Sequence, residues 1–145
     1  MKNRFLSGLV LAVFGLLIAL IPVCIFPTCA KVIETAAGGT VPMKCFWSGR
    51  AEIGIGLLIL CGGGLLAFVK SPLTRIGISI MTALTGILAI LVPTLLIGGC
   101  EMATMPCRMT TFPALMLLGG LTAAVALVNA AYLGSQNKKT AETGQ

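Results

Sequence analysis

No histidine and no aspartate occurs among the 145 residues, and the only side-chain carboxylates are Glu34, Glu52, Glu101 and Glu142. That shortage excludes a carboxylate-dyad hydrolase and a histidine-based metal or acid–base site, because each needs its titratable groups in close pairs. Charge is scarce altogether, at 10% of residues. The ten cations stand in ones and twos with no basic face and no interleaved aromatics, which excludes nucleic acid as a partner. What the chain has instead is a 57% hydrophobic composition and a mean hydropathy of +1.05, far from an ordinary soluble domain. The lipid bilayer is therefore the expected solvent.

Four stretches are long and apolar enough to span: residues 5–23, 51–69, 76–98 and 112–133. At about 1.5 Å per residue, each reaches roughly the 30 Å hydrocarbon thickness. Lys2 and Arg4 precede the first run as they would in a signal peptide, but no Ala-x-Ala site follows it, so it is read as a retained span. The expected protein is an all-α, four-span bundle over residues 1–134, with a disordered polar tail at 135–145.

The loops set the orientation. Lys2, Arg4, Lys70, Arg75, Lys138 and Lys139 lie close to span ends on one side. Lys31, Lys44, Arg50 and Arg108 are spread through longer loops on the other, beside Glu34, Glu52 and Glu101. The positive-inside rule then places both termini in the cytoplasm and the longer loops outside a cell membrane. Cys24, Cys29, Cys45, Cys100 and Cys107 fall on that outer side, where thiols meet an oxidising compartment. Cys61 alone lies within a span and reads as an inert buried thiol.

The chain carries an internal repeat. Gly15 and Pro22 are spaced as are Gly86 and Pro93, and a cysteine follows each proline by seven residues, at Cys29 and Cys100, so the offset of 71 holds across three anchors. Each long loop then ends in a Met-x-Cys element, Met43-Lys44-Cys45 and Met105-Pro106-Cys107, now at an offset of 62. Ser48 and Thr110 follow as expected helix caps. Two hairpins of like orientation, at about residues 1–70 and 71–134, are the expected halves. Pro22 and Pro93 should end or kink regular helix near the outer face. Gly54, Gly56, Gly62–Gly64, Gly119, Gly120, Ala123, Ala124, Ala126, Ala130 and Ala131 are the expected close-packing residues, and Asn129 an interhelical hydrogen bonder. Phe46, Trp47 and Phe112 read as an interfacial aromatic belt. Glu52 reads as a helix-end cap or an ion partner of Arg50.

Three readings of the cysteines stay open. In the first, Cys29–Cys45 and Cys100–Cys107 are structural disulfides stapling each outer loop, worth about 2–4 kcal/mol apiece in the chain-entropy model. In the second the thiols exchange electrons with a quinone, Cys24 and Cys29 being the labile pair, although no Cys-x-x-Cys occurs. In the third, Met43, Cys45, Cys100, Met105 and Cys107, with Met102 and Met109 nearby, bind a soft metal such as Cu(I). Without such chemistry no cofactor is expected.

Met43-Lys-Cys-Phe-Trp-Ser with Ala51-Glu-Ile-Gly-Ile-Gly, and Pro93, Ile97-Gly-Gly-Cys100, Met105-Pro-Cys107 and Thr111-Phe-Pro113, resemble the bacterial and archaeal membrane family known as domain of unknown function 4418. The similarity covers nearly the whole chain. It departs at Phe46, where the family is expected to have a histidine. The resemblance implies the four-helix architecture and no established activity, and such proteins resemble small membrane components found alongside ABC-type export systems. The expected role is non-enzymatic: an accessory or interaction subunit meeting other membrane subunits, or copies of itself, through glycine-rich faces.

Overall fold

The computed structural model describes residues 2–25, 32–34, 38–42, 44–98 and 107–143. Four helices carry the fold: α1 (Lys2–Leu20), α2 (Lys44–Phe68), α3 (Pro72–Leu91) and α4 (Phe112–Thr143). With the turns that flank them, all four are long and apolar enough to cross a membrane. The first loop adds a small antiparallel ribbon, β1 (Val32–Glu34) paired with β2 (Thr40–Pro42) in the register Ile33 to Val41. Gly38, at φ 78°, turns the chain between them.

Regular helix stops where the prolines require it. α1 and α3 each run into a π turn, Ile21–Ile25 and Val92–Leu96, and Pro22 and Pro93 occupy the second residue of each. A proline supplies no N–H to the carbonyl one turn back, and the wider turn relieves the ring's clash with it. After Pro93 the N–H of Ile97 donates to Val92 O at 3.0 Å, and Gly98, at φ 74°, closes the helix. α3 starts on Ser71, in extended conformation, with Pro72 at the first helical position, where its missing N–H costs nothing.

Two element bounds differ from expectation. α2 begins at Lys44 rather than near Ala51, so Cys45, Phe46, Trp47 and Ser48 belong to the helix and not to the loop. α4 continues to Thr143, so the tail expected to be disordered is helical through that residue. Gln136, Lys138, Lys139 and Ala141 are good helix formers, and a helix that has already run about six turns past Pro113 needs no new nucleus to propagate through them.

α1 packs chiefly on α2 and α3 chiefly on α4, forming two tight hairpins. Glycine makes the closeness possible. A Cβ at Gly8 would stand 2.7 Å from the carbonyl oxygen of Gly63, and one at Gly15 the same distance from that of Gly56. In the other hairpin a Cβ at Gly119 would stand 2.8 Å from Gly86 O. Gly54, Gly64 and Gly120, expected among the contact residues, meet nothing within 4 Å. Because lipid gives helices no hydrophobic drive to associate, these side-chain-free approaches and the dispersion contacts around them are the main cohesion.

The interior is layered along the bundle axis. Ile18, Ile21, Ile55, Ile59, Ala89, Val92 and Leu115 bring all four strips of sequence into one apolar cluster nearer the cysteine-loop end. Leu11, Leu66, Ala83 and Ala126 form a second cluster nearer the termini. Buried hydroxyls between and below them are satisfied locally: Thr82 donates to Ile78 O at 2.8 Å and Thr122 to Leu118 O at 2.7 Å. Asn129 Nδ2 donates to Ser79 Oγ at 2.9 Å, the interhelical bond expected of it. Leu58, Phe68, Leu117 and Val128 face outward, as lipid-solvated side chains should.

Candidate functional site

Half of the polar side chains buried among the described residues, Ser48, Glu52 and Thr111, lie toward the cysteine-loop end of the bundle. Along α2, Cys45, Ser48 and Glu52 recur at three- and four-residue steps, which puts them on one face, and all three are buried. Thr111, immediately before α4, is buried at the same end. Ser48 was expected to cap α2; as the fifth helical residue it instead donates its Oγ–H to Gly98 O at 3.0 Å, tying α2 to the end of α3. Thr110, the matching expected cap, lies exposed in a π turn, Cys107–Thr111, that leads into α4.

Glu52 is the largest departure from the sequence reading. It was placed at a helix end beside Arg50, but with α2 starting at Lys44 it lies two turns inside the helix, about 12 Å along the axis at 1.5 Å per residue. It is 0% exposed, and neither carboxyl oxygen has a hydrogen-bond partner. Arg50 points elsewhere: its guanidinium carbon lies 5.4 Å from the centre of the Phe46 ring, on the exposed side of α2. Among the described residues, no cation pairs with Glu52 from another element either. Residues 5–25, 76–98 and 109–137 contain no charged side chain. Ile55 and Ile59 lie directly inward of it on the same helix face.

The thiols sort unevenly. Cys45 is fully buried and disulfide-bonded. Cys24 is free and exposed, in the π turn after α1. Cys61 is also free, but the expectation of a buried thiol fails: it faces outward and lines a groove between α2 and α3. A helix buries only about one side against its neighbours, and position 61 falls on the other. Of the remaining candidates, Cys29, Met43, Cys100 and Met105 lie outside the described residues, as does the side chain of Cys107. Among the described residues no cluster of three metal-ligating His, Cys, Asp or Glu side chains forms.

The aromatic belt is partly present. Trp47 is exposed and meets Phe46 edge to face, with ring centres 5.9 Å apart, whereas Phe112 is buried in the bundle. Two open grooves mark the seams between the hairpins. One, of about 610 Å³, runs between α2 and α3 past Leu58, Cys61, Gly62, Gly77, Met81 and Thr82. The other, about 450 Å³, runs between α1 and α4 past Ser7, Val10, Ala124, Val128, Asn129 and Tyr132.

Four apolar helices solvated outwardly by aliphatic side chains, with polar groups kept to the interior and the ends, define a multi-pass helical membrane protein. The chain belongs to the family described as Domain of unknown function (DUF4418), whose model matches residues 11–132. No curated protein and no solved structure shows a significant match.

Proposed function

We propose that the chain is a non-enzymatic accessory or interaction subunit of a membrane assembly, of the kind that accompanies ABC-type transport systems. The observation that carries this reading is the open seam between hairpins. Where the hairpins are internally tight, the α2–α3 groove, about 610 Å³ in volume, is lined by Gly62, which packs on Thr82, and by the exposed Gly77, at which a Cβ would meet nothing within 4 Å. A partner helix could approach closely there, as small residues allow. Affinity purification of the full chain from a gentle detergent tests it: co-purifying membrane subunits are expected, and a consistently solitary monomer overturns it.

Several features of the architecture belong to the same proposal. The halves are a duplicated hairpin, supported by the π turns at Ile21–Ile25 and Val92–Leu96 and by the glycines Gly15 and Gly86, each pair 71 residues apart. Their packing partners Gly56 and Gly119 are 63 apart, while Cys45 and Cys107 are 62 apart. The second half thus holds one extra residue between Cys107 and Gly119, and the π turn Cys107–Thr111 is the local widening that one inserted residue produces. Both termini are cytoplasmic and the cysteine loops extracytoplasmic, in the cell membrane, on the asymmetry of Lys and Arg. Cys29–Cys45 and Cys100–Cys107 close the loops in this reading; the bonded state of Cys45 supports a bridge at the first loop, and the repeat extends it to the second.

A further inference from the structure

We propose that Glu52 is a proton-binding site inside the bundle, a role independent of the accessory-subunit reading. Three observations meet at this residue. Its side chain is wholly buried, and both carboxyl oxygens lack a hydrogen-bond partner. It lies well within the membrane-crossing helix, about 7.5 Å deeper along the axis than the exposed Trp47 at 1.5 Å per residue. The described elements offer it no counter-charge nearby: within residues 5–25 only Cys24 is titratable, within 76–98 nothing is, and Lys2, Arg4, Arg75, Tyr132, Lys138 and Lys139 lie toward the opposite, terminal end of the bundle. On α2, Lys44 and Arg50 are exposed and Cys45 is bonded; before α4, Arg108 is exposed.

A carboxylate ionised in such a place would be an unpaired charge in a low-dielectric interior, which is costly enough that a small cation must neutralise it. A proton satisfies this with no further ligands, whereas a sodium ion needs several oxygens around it, and on the face of α2 that carries Glu52 the only other described side-chain oxygen is Ser48 Oγ. The layering also sets the direction of exchange. Cys45 and Ser48 lead from Glu52 to the cysteine-loop end, while Ile55, Ile59 and the cluster around them seal it from the termini. Glu52 therefore takes up and releases its proton toward the cysteine-loop side and does not pass it through the bundle.

The test uses the full chain in sealed vesicles of neutral lipid, with orientation scored by reaction of Cys24 with a membrane-impermeant maleimide. A hydrophobic carbodiimide adds across the O–H of a protonated carboxyl in an apolar setting; the O-acylisourea so formed rearranges to a stable N-acylurea, which adds the whole reagent mass. Peptide mapping should place one adduct on Glu52 of the wild-type chain, with yield falling several-fold as the pH is raised on the cysteine-loop side. Infrared difference spectra over the same pH change should show a protonated-carboxyl band that is lost reversibly and is missing from Glu52→Gln. Absence of the adduct and the band at every pH overturns the proposal. Suppression of labelling by sodium at constant pH overturns it in favour of a metal-cation site, and dependence on pH at the opposite face overturns the direction of exchange. The wild-type mapping stands whether or not Glu52→Gln folds, and none of these outcomes depends on a partner subunit.

Discussion

Gly15 and Gly56 meet backbone to backbone: a Cβ on either would stand 2.7 Å from the other's carbonyl oxygen. Nothing at that point can yield except the helices themselves. Gly15→Leu or Gly56→Val should push α1 from α2 and cost about 1–3 kcal/mol, the usual range for overpacking. Thermal unfolding in detergent, followed by circular dichroism, measures this. Gly54→Ala is the contrast, since its Cβ meets nothing within 4 Å; it should be neutral or raise the midpoint, alanine being the better helix former by up to about 1 kcal/mol.

Asn129 and Ser79 join α4 to α3 through one hydrogen bond at 2.9 Å. A double-mutant cycle with Asn129→Ala and Ser79→Ala should return a coupling of about 0.6 kcal/mol, the average for interhelical hydrogen bonds in a membrane protein, and not above about 1.7. A coupling of zero would mean that the pair does not hold in the membrane.

Ser48 fastens the end of α3 through Gly98 O, at 3.0 Å. Ser48→Ala removes the donor and leaves a part-buried carbonyl, at a cost of about 1–3 kcal/mol. Backbone amides around Ile97 and Gly98 should then exchange hydrogen faster, while those of Leu11 and Leu66, in the other core layer, should not change. Were Ser48 a helix cap, as its sequence position suggests, the faster exchange would appear at Arg50 and Ala51 instead, whose N–H groups such a cap would accept.

How much of this was legible beforehand follows from which physical signal each residue carries. The four helices were legible because twenty apolar residues in a row mean a span whatever they pack against. The prolines announced the π turns for the same reason: their effect is local. Gly8 and Gly15, by contrast, face Gly63 and Gly56, but only their seven-residue spacing marks them, a signal outweighed in the sequence reading by the denser glycine run at residues 62–64. Glu52 was misplaced by a boundary: Met43 through Arg50 contain two cations and a tryptophan, which looks like loop, and placing the helix start seven residues late moves a buried carboxyl to the surface. Cys61 was misjudged because an all-apolar helix has little amphipathic contrast to say which side faces lipid.

The two free thiols offer a reading of depth and side together. Cys24 is exposed in the turn that ends α1, whereas Cys61 is exposed on the middle of α2, among Leu58 and Leu65. If the helices span the bilayer, a polar maleimide reaches the first and only a lipid-soluble one reaches the second. Cys45 should react with neither until a reductant opens its disulfide, and burial should keep it slow even then. In intact cells the polar reagent should label Cys24 from outside, because the Lys and Arg asymmetry puts that end of the bundle there. Labelling of Cys24 only after the cells are lysed would invert the orientation while leaving the fold intact. Labelling of Cys61 by the polar reagent would mean that α2 is not lipid-embedded. Mass spectrometry of the alkylated chain, with Cys24→Ser and Cys61→Ser as site controls, separates these outcomes in one set of samples.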